Sequence, residues 1–357
     1  MPPFLAGRER ERTFFRDLVT DLASGVPPET QVVLYGPRGN GKTVLLRWLE
    51  GETAARGEVD EVSLAPSGIG TAERLSELLL PLSWWSRLTP SEVALAGFTW
   101  RPGQDRPPPM EDILAVRARN RPLVVLVDEA HTLELPVGRA LLNAAQYVGD
   151  RLPFLLVLAG TPNLRGHLNA MGASFWNRAE RFPIGRLDAG AAAEALRRPL
   201  ENEGVPVEDG ALDFVVELSH GYPYFVQLLG RGVWRAMTAD GGAAPALTPA
   251  VVYRALPEFE RIRGDYYLDR YRELEARELF GAARAVAEAF ETGSALSDSE
   301  LGDAVAHGLG SSDQRRVRSA RDELSDLGYV WGPGPDPRWE PGIPSLMDYV
   351  REHAPAN

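Results

Sequence analysis

The stretch GPRGNGKT, Gly36 to Thr43, contains the single lysine of a chain in which every other of its 38 basic residues is arginine. Gly36, Gly39 and Gly41 let the backbone of these eight residues curl until successive N–H groups point inward, an arrangement that binds oxyanions. A buried strand, QVVLY at 31–35, precedes the stretch, and a helix with an apolar face, VLLRWLE, follows it. That is the context in which the spacing GxxxxGK[ST] holds phosphate, with the helix N-terminus adding partial positive charge. Lys42 would meet the outer phosphates of a nucleotide and Thr43 would offer its hydroxyl to Mg²⁺, while Pro37, Arg38 and Asn40 complete the loop. A guanidinium is planar and forked, whereas an ammonium is a compact charge on a thin stem. A tight anion cradle is therefore a place where this arginine-writing chain has reason to keep lysine.

A phosphate held with magnesium needs a carboxylate from a neighbouring strand. LVVLVDEAH, Leu123 to His131, supplies one where an apolar run ends. Asp128 would hold the ion through its water shell, and Glu129 would polarise an attacking water as general base. The elements that must position these groups are short apolar runs bounded by Gly, Pro or Asp: QVVLY at 31–35, EVSL at 61–64, LVVLV at 123–127 and FLLVL at 154–158. Helical patterns alternate with them, which predicts an α/β fold with a parallel sheet covered on both faces. The segment 81–109, rich in Pro, Trp and Gly, reads as an irregular insertion with a hairpin around VALAGFTW.

Beyond Asp188 the pattern is helical to about Ala255, punctuated by GYP and by Thr248 before Pro249, a helix-start pair. A further helical stretch spans roughly 269–290, and Ser297 to Glu300 matches a capping box. A helix from about Ser312 carries Val317, Ala320, Leu324 and Leu327 on one face and stops at Gly328. Arg315 and Arg318 fall on the opposite face, with Arg316 and Arg321 flanking. Cations in the first half of a helix oppose its dipole, so local stability does not explain them. In a recognition helix, that half reaches bases or phosphates. Asp322, Glu323 and Asp326 on the same helix count against nucleic acid. YVW, the turn GPGPDP and RWEP then predict a two-stranded wing. Duplex DNA, a protein partner and plain packing all remain open for this module.

With 357 residues the chain can hold two or three domains, and 44% hydrophobic and 25% charged residues are ordinary for a folded protein. A net charge of −12 excludes a protein coated in nucleic acid, though not one with a local basic patch. The absence of cysteine removes disulfides, thiol nucleophiles and thiolate metal sites. The five histidines show no ligand spacing, so zinc is not expected; His131 follows the acidic pair. No apolar run approaches the roughly 20 residues that span a bilayer, and MPPFLAGRERER lacks a hydrophobic signal core. The expectation is a soluble, cytoplasmic protein without a membrane partner.

Together these residues resemble the AAA+ class of P-loop ATPases, within it the branch of origin-recognition ATPases and the related STAND signalling ATPases. FLAGRERERTFF, Phe4 to Phe15, is similar to the family's N-terminal FxGRxxE element, which lies against adenine; Gly7, Arg8 and Glu9 match it. LAGTPNL, Leu158 to Leu164, is similar to the first sensor, which orients water against the γ-phosphate. Thr161 and Asn163 both qualify, and an amide that donates and accepts favours Asn163. FWNRAERFPIGRLD is similar to the segment whose arginine completes a neighbour's site, Arg178 matching best and Arg181 second. SHGYPYFVQLLGRGVW resembles the lid helix after a Gly-x-Pro turn. Where many relatives carry a second-sensor arginine this chain has Tyr224, which favours a slow switch over a fast motor. The resemblance implies a P-loop NTPase core at 1–187, a helical lid at 188–268 and a winged helix-turn-helix at 269–357. It also implies a slow ATPase that binds ATP or ADP with Mg²⁺, forms a homo-oligomer and couples nucleotide state to DNA binding or remodelling. The alternatives are a STAND-type signalling or defence ATPase whose winged helix binds protein, and a nucleotide-bound scaffold that does not hydrolyse.

Overall fold

In the computed structural model, the apolar runs become one parallel sheet. The structure describes residues 4–80, 93–95, 98–100, 108–172, 175–238, 246–291, 295–334 and 337–353. The strands are β1 (Val32–Tyr35), β2 (Asp60–Leu64), β5 (Leu123–Val127), β6 (Phe154–Gly160) and β7 (Glu180–Pro183), in the order β2-β5-β6-β1-β7. All residues of β5 and β6 are buried, as expected of central strands with both faces covered. The register aligns Tyr35 with Gly160 and Val127 with Leu158. The residues that follow these three strands therefore emerge along one edge, the C-terminal edge where open α/β sheets place their ligands. The hairpin expected around VALAGFTW is present as antiparallel β3 (Val93–Leu95) and β4 (Phe98–Trp100); the rest of the expected insertion, 81–92, 96–97 and 101–107, lies outside the described residues.

Helices α1 (Glu9–Ala23), α2 (Lys42–Arg56), α3 (Ala72–Leu79), α4 (Met110–Asn120), α5 (Leu135–Gly149), α6 (Leu164–Ala170) and α7 (Phe175–Arg178) connect or flank these strands. One core beneath them joins β5 and β6 residues to the buried faces of α4 and α5. β7 was not expected from the sequence. It is a four-residue strand at the sheet edge, and its residues Glu180 and Arg181 carry charge, so no apolar run marks it.

By its contacts the chain divides into two units, Arg8–Tyr35 with Lys42–Phe182, and Gly36–Gly41 with Pro183–Asn357 and the segment ending at Gly7. The second unit contains α8 (Ala189–Asn202), α9 (Asp209–Ser219), α10 (Pro223–Thr238), α11 (Pro249–Ala276), α12 (Phe280–Glu291), α13 (Asp298–Leu309), α14 (Gln314–Asp326) and α15 (Pro344–His353). Thr248 caps α11 by accepting the Val251 N–H, and Pro249 supplies its first turn. The capping box of α13 is complete: Ser297 accepts from the Glu300 N–H at 3.2 Å, and Glu300 accepts from the Ser297 N–H at 2.7 Å. Val317, Ala320, Leu324 and Leu327 are buried as the wheel requires, and Gly328 (φ +84°) ends the turn after α14. β8 (Val330–Trp331) pairs antiparallel with β9 (Glu340–Pro341), the hairpin expected from YVW and RWEP.

Helix α11 runs unbroken through 268 and 269, where the sequence reading divides lid from C-terminal module, and one hydrophobic core spans both sides of that point, from Leu196 to Val350. The stretch expected as helical over 269–290 instead breaks at 277–279, where Glu278 takes a left-handed conformation (φ +57°). Among the described residues no helix is long and apolar enough to cross a membrane.

Candidate nucleotide-binding site

The loop 36–41 leads from β1 into α2 with Gly39 (φ +79°) and Gly41 (φ +88°) in the left-handed region, which an L side chain rarely adopts. A Cβ at Gly36 would overlap the Ile184 carbonyl, and one at Gly39 would overlap the Tyr222 hydroxyl. Nothing described lies within 4 Å of where Gly41 would carry a Cβ. Gly36, Pro37 and Asn40 are buried, whereas Arg38 is exposed. Lys42 begins α2 and is only 5% exposed, a cation drawn out of water at a helix N-terminus. Such a burial is costly unless an anion compensates it.

Thr43 and Asp128, 85 residues apart, meet: the Thr43 hydroxyl donates to Asp128 Oδ2 at 2.6 Å. The other oxygen, Oδ1, accepts the Glu129 N–H at 2.9 Å, so the carboxylate is held on both sides. A hydroxyl beside a fixed carboxylate is the protein donor set that Mg²⁺ takes together with nucleotide phosphates, and the residues present therefore fit MgATP. Glu129 is left-handed (φ +49°), a strained conformation for a residue with a side chain. Its carboxylate is half exposed and lies 3.4 Å from His131 Nε2. His131 Nδ1 in turn accepts the Thr161 N–H at 3.4 Å. An accepting Nδ1 leaves the proton on Nε2, so the imidazole donates toward Glu129 and spans the ends of β5 and β6. From the sequence, His131 is marked only by its place after the acidic pair, where indirect sensing of phosphate and a plain structural role both stay open.

The sensor candidates separate. Thr161 is 2% exposed and its hydroxyl has no hydrogen-bond partner among the described residues, whereas Asn163 is exposed at the start of α6. Arg178 and Arg181 are exposed; Arg181 lies over the Trp176 ring at 5.7 Å. Gly7 and Arg8 are both left-handed (φ +62° and +63°) just before α1, and a Cβ at Gly7 would approach Ala191 Cβ to 2.9 Å. On α14, Arg315, Arg316 and Arg318 are exposed. Arg321 is engaged: it bonds Asp298 at 2.8 Å and lies over the Trp339 ring at 5.5 Å.

Residues 28–168 match the family model described as an AAA domain. The matched segment runs from before β1 into α6 and contains Lys42, Thr43, Asp128, Glu129 and Thr161. Over 282 residues the chain is 23% identical to the replication factor C large subunit of Sulfurisphaera tokodaii, 76% of this chain and 54% of that protein. The chain thus spans about half the length of that curated relative. The Walker-type ATPase of Pyrococcus abyssi superposes with a TM-score of 0.65 at 18% identity, covering 98% of this chain and 99% of the other. The ADP form of the ORC2 protein of Aeropyrum pernix gives 0.59 at 16%, covering 99% and 95%. These likenesses establish the fold, a parallel α/β sheet like that of P-loop AAA+ proteins, continued by a helical half.

Proposed function

We propose that the protein is a nucleotide switch that binds ATP with Mg²⁺ on Gly36–Thr43 and hydrolyses its outer phosphoanhydride slowly. The observation that carries this reading is the 2.6 Å contact of Thr43 with Asp128 one residue from a buried Lys42. Bound ATP would supply the transferable phosphoryl group. Lys42 neutralises the outer phosphates, Thr43 and Asp128 hold the metal, and Glu129 takes a proton from the water that attacks phosphorus. As phosphorus–oxygen bonding to water forms, the bond to the β-phosphate oxygen breaks. Burial favours Thr161 over Asn163 as the group that senses the terminal phosphate, and Arg178 or Arg181 would serve a second copy of the chain.

The output we propose is contact with duplex DNA through the exposed arginines of α14, in a C-terminal winged module of about residues 269–357 that follows a helical lid. The replication factor among its relatives supports this direction. Calorimetry tests the nucleotide reading. Wild type takes up MgATP; Lys42→Ala binds at least about tenfold more weakly, since a charge-assisted contact worth 1.5–3 kcal/mol is lost. Glu129→Gln retains binding and releases phosphate about a hundredfold more slowly. Wild type that takes up no MgATP, or Lys42→Ala that binds it equally well, refutes the site.

A further inference from the structure

The loop that would hold phosphate is built against the helical half of the chain. Gly36–Gly41 groups with Pro183–Asn357. The Ile184 carbonyl occupies the space beside Gly36, the Tyr222 hydroxyl occupies the space beside Gly39, and Pro37 Cβ lies 3.7 Å from where Gly328 would carry a Cβ. Tyr222, in the GYP turn before α10, is 1% exposed and donates its hydroxyl proton to the Arg38 carbonyl at 2.8 Å. It has one proton, so toward the Tyr266 hydroxyl, 3.2 Å away on α11, it accepts. The chain of bonds therefore runs from Tyr266 to Tyr222 to the loop.

The direction matters because a phosphate-binding loop points its N–H groups inward and must turn carbonyls outward. A donor fixed on an outward carbonyl selects that shape before any ligand arrives. If the loop shifts, the Tyr222 proton loses its acceptor in a place water does not reach, and repair requires both hydroxyls to reverse. Tyr266 carries the guanidinium of Arg270 at 5.4 Å from its ring, and Glu273 holds Arg270 at 2.8 Å. The same guanidinium acts electrostatically on the buried phenol of Tyr329, whose hydroxyl has no hydrogen-bond partner among the described residues. Tyr329 follows Gly328, the neighbour of Pro37, and leads into β8. Two routes from the loop thus converge at 328–329.

We propose that Tyr222, backed by Tyr266, is the positioning residue that shapes the phosphate loop and transmits its state to the C-terminal module. This rests on the loop being the nucleotide site. The test is MgATP calorimetry on wild type, Tyr222→Phe, Tyr266→Phe and the double variant, with Lys42→Ala as the control for the site itself. Tyr222→Phe keeps the ring and loses about tenfold in affinity. Tyr266→Phe loses less, and the double variant binds no more weakly than Tyr222→Phe, because Tyr266 acts through Tyr222. Additive losses, or a Tyr222→Phe affinity equal to wild type, overturn the proposal while leaving the nucleotide site standing. Wild type that takes up no MgATP removes both.

Amide exchange supplies a readout that a packing role would not move. In wild type, saturating MgATP changes protection at 328–331; in Tyr222→Phe, saturated at higher concentration, it does not. If Tyr222→Phe fails to fold, Tyr266→Phe and wild-type exchange decide, and an unchanged 328–331 in wild type on adding MgATP overturns the proposal.

Discussion

Lys42 is the residue at which composition and geometry speak to each other. It is the one lysine in a chain that otherwise uses arginine, and it is 5% exposed at the first position of α2. Arginine there would bring a wider, forked group into space shaped by a thin stem, so conserving charge does not conserve fit. We expect Lys42→Arg to melt within a few degrees of wild type, yet to bind MgATP about tenfold more weakly or worse in calorimetry, in the range of Lys42→Ala. Affinity near wild type would show that charge alone suffices. The pair Thr43 and Asp128 was legible because each ends its own local pattern: a glycine-rich turn, and an apolar run broken by an acid. His131 and Tyr222 were not. His131 reaches Thr161 only through the alignment of β5 with β6, and Tyr222 reaches Arg38 across 184 positions. No local spacing records either contact. Asn163 was favoured for its amide chemistry, but which of two neighbours turns inward depends on the strand's last step, and it is Thr161 that is buried.

Strands and caps were readable where one physical rule dominates, as in the fully apolar β5 and β6 and the capping box at Ser297. Element ends were less readable. The polar sequence around Asp269 looks the same whether it links domains or lines the solvated face of α11, so continuity of that helix could not be seen. The turn closing α9 is instructive as well. His220 (φ +49°) and Gly221 (φ +68°) are both left-handed, and Gly221 backs onto the Leu187 carbonyl. Burial, then the Arg186 guanidinium, push the His220 imidazole below its usual value; Asp348 and Glu217 oppose this, and Arg263 adds to it. Folded His220 therefore takes up a proton later than the unfolded chain does. Its contribution to stability is complete above the unfolded value of about 6.5 and is lost as pH falls from there toward the lowered folded value. Thermal melts followed by circular dichroism should fall more steeply between pH 7.5 and 5.5 for wild type than for His220→Asn, a residue that tolerates the same backbone and does not titrate. Equal slopes would assign the acid sensitivity elsewhere.

For the whole molecule, a net charge of −12 and a proposed DNA face must be reconciled. Screening does this: at physiological salt, charges beyond about 8 Å are largely masked, so the exposed Arg315, Arg316 and Arg318 act locally. Arg321, though on the same helix, belongs to a different argument. Asp298 Oδ1 accepts from Arg321 at 2.8 Å and from the Trp339 indole at 3.1 Å, which ties α14 to the start of α13 and to the hairpin. Its removal should appear first as a lower melting temperature. Arg315 and Arg318 have no comparable tether among the contacts described, and changing both to alanine should leave folding intact. In a gel shift on duplex DNA with ATP present, we expect wild type to bind and the double variant to lose the shift at moderate salt. The slope of log affinity against log salt should also be shallower by about 2, one unit for each phosphate contact removed. Because the lost contacts are to phosphate, the weakening should be the same on unrelated sequences; a loss confined to one sequence would instead mean that these arginines read base edges. No shift by wild type at low salt, with or without ATP, would turn the C-terminal module toward a protein partner, and the exposed arginines would then be tested against an acidic surface.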